Sequence, residues 1–233
     1  MLTPDPFLAG ILQRPAFHAE AASLDAAMFT AGMMAFVDAR AAVHDIAACH
    51  RLQEAGFHLN DTNVQFDRGL SGIWPQNKKK PETVVRFASS DDQSAVEDIA
   101  ASCFTFSRFH LDPLVGRDQA NEIKRRWAGN FFSGKRGRWM VVAERGGKVV
   151  AFLQLLSNDD AIIIDLIGVA PEHQRRGAGT GMIAFAAREC APATRMVVGT
   201  QIANTPSLRA YEGLGFRICS ASHVFHYHGP LRI

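Results

Sequence analysis

Three alternate glycines, Gly177, Gly179 and Gly181, follow the arginine pair Arg175-Arg176 in a segment that runs Val169-Ala170-Pro171-Glu172-His173-Gln174 and then Arg175-Arg176-Gly177-Ala178-Gly179-Thr180-Gly181-Met182. Glycine removes the side chains that would keep a bulky anion away from the main chain. The first N–H groups of a helix have no partner inside it, and the helix dipole favours negative charge at that end. With Arg175 and Arg176 adding charge at the rim, the turn is suited to gripping a diphosphate. A dinucleotide-binding turn fits less well. It wants glycine where Met182 stands, with its glycines directly after the strand. A Walker loop requires Gly-Lys-Ser/Thr, which the chain lacks.

The order Val169-Ala170-Pro171 followed by Gln174-Arg175-Arg176-Gly177-Ala178-Gly179 resembles the Gln/Arg-x-x-Gly-x-Gly/Ala motif of the GNAT superfamily of N-acetyltransferases. The resemblance implies a coenzyme A site. Main-chain groups of Ile167, Gly168 and Val169 would pair with the pantetheine arm. Residues Gln174, Arg175, Arg176, Gly177, Ala178, Gly179, Thr180 and Gly181 would hold the diphosphate. The later segment Asn204-Thr205-Pro206-Ser207-Leu208-Arg209-Ala210-Tyr211-Glu212-Gly213-Leu214-Gly215-Phe216 is similar to the second coenzyme-contacting element of that superfamily, through Asn204 and Ser207. Acetyl-CoA is the acyl donor that this resemblance implies, with no metal.

Forming an amide from a thioester requires a neutral amine, a stabilised oxyanion and a proton for the departing thiolate. A phenol of pKa about 10 can protonate a thiolate whose conjugate acid lies near 8.5 at modest cost. Tyr211 stands where the superfamily commonly carries such a tyrosine, and the chain has two tyrosines in all. Two carboxylates are candidates for the base. Asp165 has the same strand parity as Ile167 and Val169, which would turn it toward the same cleft. Asp61, in Gly56-Phe57-His58-Leu59-Asn60-Asp61, opens the strand returning from the N-terminal part. Either could equally be a solvated or turn residue.

A narrower resemblance concerns the acceptor. Phe104-Thr105-Phe106-Ser107-Arg108-Phe109-His110-Leu111-Asp112-Pro113, followed by a helix bearing Glu122, Ile123 and Trp127, is similar to the acceptor-side segment of dTDP-fucosamine acetyltransferase and its relatives. These enzymes acetylate an amino group on a nucleotide-linked sugar. Ser107, Arg108 and His110 would form a polar acceptor rim, and Arg108 could meet a phosphate; a solvated helix-connecting loop reads equally well. Another amine (amino acid, polyamine, antibiotic or protein N-terminus) or a non-catalytic acyl-CoA-binding module remains open. His226 and His228 alternate on a terminal strand, so they share one face opposite Phe225 and Tyr227, with solvent as the expected surrounding.

The elements that must position these residues follow an α/β pattern. Strands are expected at 84–87, 139–144, 149–156, 162–169 and 196–202, with terminal strands beginning at Phe216 and Val224. Helices are expected at about 92–103, 117–131, 179–190 and 205–213, and Gly146-Gly147 marks a hairpin. This mixture predicts a mixed central sheet with helices on both faces, the GNAT fold. The N-terminal part repeats the end of the chain: strand 35–40, helix 41–54 closing in Glu54-Ala55-Gly56-Phe57, strand 57–66, against the later Glu212-Gly213-Leu214-Gly215-Phe216. Glycine suits the left-handed position that ends a helix. The expected organisation is a truncated acyltransferase-like unit at 1–74, a Pro- and Lys-rich linker at 75–82 and the acetyl-CoA-binding domain at 83–233.

At 233 residues, 47% hydrophobic and 21% charged, the chain can bury a substantial core. A formal net charge of +2 is too small for a nucleic-acid or membrane field, so a small-molecule amine is the expected partner, with a homodimer left open. No stretch reaches the ~18 apolar residues of a membrane span. The start of the chain lacks the basic head of a signal peptide, and the reading is cytoplasmic. Cys49, Cys103, Cys190 and Cys219 form no CxxC pair and read as packing residues.

Overall fold

The computed structural model describes residues 1–72, 74, 83–190 and 192–232; the expected linker at 75–82 lies outside them. In chain order the elements are β1 (Leu2–Pro4), α1 (Pro6–Leu12), β2 (Ala16–Glu20), β3 (Met33–Ala42), α2 (Ile46–Glu54), β4 (His58–Gly69), β5 (Val84–Phe87), α3 (Gln93–Cys103), α4 (Arg117–Gly129), β6 (Trp139–Arg145), β7 (Lys148–Asn158), β8 (Ala161–Val169), α5 (Ala178–Glu189), β9 (Arg195–Gln201), α6 (Thr205–Gly213) and β10 (Arg217–Leu231). The described strands form one mixed sheet in the order β1-β2-β3-β10-β4-β9-β8-β7-β6-β5. Helices cover both faces. Helices α2, α5 and α6 pack on one face around Leu52, Met182 and Tyr211, and α1, α3 and α4 on the other around Leu8, Val96 and Ile123.

Local chemistry explains most boundaries. Asp45 caps α2 by accepting from the Ala48 N–H at 2.9 Å, and Asn204 caps α6 by accepting from the Ser207 N–H at 3.3 Å. Gly146 and Gly147 turn the β6–β7 hairpin with φ of 57° and 77°. Two expectations shift. Helix α2 starts at Ile46 rather than 41, because β3 runs on through Ala42 with β2 on one edge and β10 on the other. At Ala41 and Ala42 that pairing is with β10 alone, β2 having ended opposite Arg40, and it overrides the helix preference of these alanines. The two terminal strands are one, β10, which pairs with β3 without a break from Ser222 to Leu231 while slipping register against β4 at two points.

The sheet opens in its middle. Parallel β8 and β9 pair only from Ala161–Arg195 to Ile164–Val198. Beyond that, β8 stays with β7 as far as Val169, while β9 stays with β4 as far as Gln201. One edge of β8 from Asp165 onward therefore lacks a strand partner. Its main-chain groups are available to something else.

Candidate active site

A groove of about 470 Å³ passes through this opening and joins the two faces of the sheet. At its α5 end lies the glycine turn. Arg175 and Gly177 take left-handed conformations, with φ of 61° and 85°, and the backbone curls so that successive N–H groups turn toward one concavity. Helix α5 begins at Ala178, and Gly177, Ala178, Gly179 and Thr180 line the groove. A Cβ on Gly179 would meet only Ile167, at 3.6 Å, and one on Gly181 only Val85, at 3.7 Å; these two positions are roomy. The conformation itself calls for glycine at Gly177. Gln174 donates its side-chain amide to the Val169 carbonyl at 3.2 Å, tying the turn to the end of β8. Arg175 and Arg176 are exposed, with Arg175 on the groove. Backbone cradle, helix N-terminus and cationic rim together fit a diphosphate.

Tyr211 stands beside the middle of the groove. Its ring is 4% exposed and packs against Phe66 and Phe216, each 5.8 Å between centroids, and burial pushes its pKa above the ordinary phenol value. It is therefore protonated at neutral pH. Asn204 and Ser207 line the same wall, and the Asn204 amide donates to Thr200 Oγ1 at 3.3 Å, fixing α6 to β9.

On the opposite face Asp165 lines the groove, though not through the strand alternation expected of it. A β-bulge between the Leu155–Ile164 and Gln154–Leu166 pairs inserts Asp165 as the extra residue of β8. The bulge turns two successive side chains, Asp165 and Leu166, toward α4, and the parity shared with Ile167 and Val169 is lost. There Asp165 accepts two hydrogen bonds from Arg136, at 2.7 and 2.6 Å, one from Trp127 Nε1 at 3.0 Å and one from Gln154 at 3.1 Å. Its lone pairs are occupied, which does not fit a base.

Asp61 is different. It is 7% exposed, its Oδ2 has no hydrogen-bond partner, and burial pushes its pKa up to about 6. Gln201, which lines the groove, and Arg40 oppose that upward shift.

The expected acceptor rim divides. Ser107 lines the groove, with its hydroxyl 2.6 Å from His110 Nδ1, and His110 Nε2 lies 2.9 Å from Asn121 Oδ1; His110 thus braces the loop from outside. Arg108 is paired with Asp38 of β3 and covers the Phe109 ring at 4.4 Å. Its guanidinium is committed within the protein. Asp38 also meets His18 at 3.1 Å, and although burial opposes its charge, Arg108 and His18 hold its pKa far below the carboxylate range.

One residue missed in the sequence is Lys124 of α4, which lines the acceptor-side end between Phe104 and Trp127. A signal was present: Lys124 lies four residues after Ala120 and three before Trp127, inside the helix's apolar stripe.

His226 and His228 share one face, as the alternation implied, but they are buried rather than solvated. Their Nδ1 and Nε2 atoms lie 2.6 and 2.7 Å from Asp112 Oδ2. These three side chains also have the types and spacing of a metal site. Arg14 Nη2, however, donates to His228 Nδ1 at 2.7 Å, so His228 Nε2 carries the hydrogen it gives to Asp112. The nitrogen facing Asp112 thus has no lone pair to offer an ion.

The split sheet, the glycine turn at the head of α5 and a buried tyrosine beside the cleft define an acyl-CoA-dependent transferase site. Residues 94–216, more than half of the chain, match the sequence model of the acetyltransferase (GNAT) family, and the chain belongs to that family. The spore coat polysaccharide biosynthesis protein SpsD of Bacillus subtilis (strain 168) is 34% identical over 139 residues, covering 58% of this chain and 47% of SpsD. The chain thus spans about half the length of that curated relative. A GCN5-related N-acetyltransferase from Sphaerobacter thermophilus has the same fold, with a TM-score of 0.60 at 12% identity over 86% of this chain and 62% of that one. A tandem GNAT protein from the clavulanic acid biosynthesis pathway gives 0.57 at 13% identity over 84% and 65%. No helix of the described residues is long and apolar enough to cross a membrane.

Proposed function

We propose that the protein transfers the acetyl group of acetyl-CoA directly to a primary amine, the amino group of a nucleotide-linked amino sugar. The observation that carries this reading is the groove itself. It leads from the Gly177 turn, past Tyr211, through the sheet to a polar chamber at Ser107 and Lys124. The part of the chain before the linker helps to close that chamber. Asp38 pairs with Arg108, Asn60 donates to the Arg108 carbonyl, and Arg14 braces His228 beneath Asp112. A narrow groove end presenting Ser107, Lys124 and Asp165 suits a compact hydroxylated acceptor, and the likeness to a polysaccharide biosynthesis protein supports a sugar.

In this reading, the N–H groups at the head of α5 and the arginine rim hold the donor's diphosphate. The unpaired edge of β8 aligns the pantetheine arm, and its N–H groups face the carbonyl oxygen as charge develops there. Asp61, poised near 6, takes the proton of the acceptor ammonium through the Gln201 side of the cleft. The amine nitrogen then attacks the thioester carbon, the C–N bond forms, and the C–S bond breaks. Tyr211 supplies the thiolate's proton, and the second proton that the nitrogen sheds as the amide forms restores the phenol. Its raised pKa is less of an obstacle than it looks, because the thiolate shares the same water-poor cleft and is also destabilised.

Release of free thiol from acetyl-CoA, followed with a panel of amines, tests the proposal. Turnover is expected with a dTDP-linked 4-amino sugar and not with amino acids, polyamines, aminoglycosides or a peptide N-terminus. Turnover on one of those instead, with the sugar nucleotide ignored, overturns the acceptor. Coenzyme binding with no turnover on any amine overturns the transferase reading in favour of a binding module.

A further inference from the structure

The Lys124 side chain is buried, yet it reaches the acceptor-side end of the groove. Its ammonium forms no hydrogen bond and no ion pair among the described residues. Its neighbours are the ring of Phe104 at 5.0 Å and the ring of Trp127 at 4.9 Å. The nearby carboxylate makes no contact ion pair with it and attracts it only at a distance, because Asp165 is held by both arms of Arg136. A lysine offers three donors, and a charge withdrawn from water without a partner is strongly disfavoured. Burial, with Arg108 next in effect, accordingly lowers the Lys124 pKa to about 8. Aromatic faces stabilise an ammonium without satisfying its hydrogen bonds. What remains is a cation with three unused donors aimed into the chamber where the acceptor must lie.

We propose that Lys124 seats an oxyanion carried by the acceptor, so that the groove selects amines whose skeleton bears a phosphate or carboxylate over neutral ones. This rests on the acyl-transfer reading of the groove and deepens it. A nucleotide-linked sugar meets the requirement through its diphosphate; an amino acid would meet it through its carboxylate. The oxyanion supplies the contact ion pair that Asp165 does not, and the three donors gain acceptors. The aromatic walls exclude water from the pair and so strengthen it.

The test separates binding from turnover. The protein is saturated with desulfo-CoA, which fills the diphosphate turn at the other end and carries no thiol. It is then titrated with thymidine diphosphate, with succinate and with neutral thymidine. The wild type is expected to bind at least one anion about thirtyfold or more tightly than Lys124→Met does, the scale set by removing one partner of a buried charge pair. Thymidine should bind both proteins equally, and Lys124→Arg should retain anion affinity. Thymidine diphosphate against succinate tells phosphate from carboxylate. Between pH 7 and 9 the wild type's anion affinity should fall as the ammonium loses its proton. The other groups facing Lys124 are Cys103 at the end of α3, Asp165 of β8, Arg136 of the turn after α4, and Arg108 and His110 of the 104–116 loop. Burial pushes Cys103 up to about 12, above this range, and lowers the pKa of His110, below it. A Lys124→Met protein that is folded by circular dichroism, keeps its desulfo-CoA affinity and binds both anions as well as the wild type overturns the proposal. So does a wild type that prefers neither anion to thymidine. Failure of desulfo-CoA to bind removes the acyl-transfer reading first, which is a distinct result.

Discussion

Leu52 and Tyr211 occupy the same position in two interlocked strand–helix–strand units. Phe57 donates its N–H to the Leu52 carbonyl at 2.9 Å, and Phe216 donates to the Tyr211 carbonyl at 3.0 Å. Gly56 and Gly215 follow the helices in matching left-handed conformations, with φ of 86° and 84°. The units β3-α2-β4 and β9-α6-β10 mesh because each crossover skips one place in the sheet, and the other unit's returning strand fills it, in the order β3-β10-β4-β9. The internal repeat read from Gly-Phe helix endings is thus matched by backbone geometry. Chemically the copies differ. Leu52 is sealed in the core, while Tyr211 presents a hydroxyl to the groove.

Tyr211→Phe removes that hydroxyl and leaves the ring contacts with Phe66 and Phe216 in place. Turnover is expected to fall about a hundredfold or more, the usual range for loss of a general acid. Acetyl-CoA affinity, measured by direct titration, should stay within about twofold, since the diphosphate turn and β8 are untouched. Unchanged turnover would move the acid elsewhere.

Asp61 makes a prediction about pH. Burial raises its pKa to about 6, and a base works only when ionised. The rate should therefore decline as pH drops through about 6, by about tenfold per unit below it. Asp61→Asn is expected to be slow at every pH and to lose that acidic limb. A pH–rate profile of the variant that keeps the limb would assign it to another group.

The buried Asp112 pair carries stability rather than chemistry. Burial opposes the Asp112 charge, but the hydrogen bonds from His226 and His228 outweigh it and hold the pKa well below the carboxylate range; burial likewise lowers that of His226. Folding thus prefers an ionised Asp112 and a neutral His226. Both preferences weaken in acid: the histidine contribution is lost as pH falls below about 6.5, and the carboxylate's as it falls below about 3.9. Asp112→Ala should lower the unfolding free energy by about 3 kcal/mol or more in denaturant titrations, because two buried imidazoles lose their shared acceptor and Arg14 loses a nearby opposite charge. A variant as stable as the wild type, with the same acid midpoint, would contradict this.

What was legible in the sequence was what is local. The diphosphate turn, the α6 cap and the glycine-ended helices each depend on residues within a few positions of one another. What escaped depends on distant partners or on a break in periodicity. Asp165 follows the alternation of its strand on paper, and a single bulge moves it to the other face of the sheet. His226 and His228 were placed on the right face, but their burial depends on Asp112, which lies 114 and 116 positions earlier in the chain. Helix α2 yields its first expected residues to β3 because β10, far along the chain, pairs with Ala41 and Ala42. Lys124 is the intermediate case, since a lysine inside an apolar helical stripe is visible but its surroundings are not.

Gly168 offers a test of how tightly the opening of the sheet is built. Its backbone is ordinary extended strand, so conformational freedom does not explain the residue. Close approach does. A Cβ there would lie 2.5 Å from Phe152 Cε1 and 2.7 Å from Cys103 Sγ. Both neighbours are fixed, Phe152 within β7 and Cys103 at the end of α3. Gly168→Ala should therefore push β8 away from α3, with an overpacking cost of about 1–3 kcal/mol. Because the displaced stretch is the unpaired edge at Ile167–Val169, the KM for acetyl-CoA should rise together with the loss in melting temperature. Adding Cys103→Ala removes one of the two clashing atoms, so the double variant should recover part of both losses. Additive damage in the double variant would show that the sulfur is not what presses on β8.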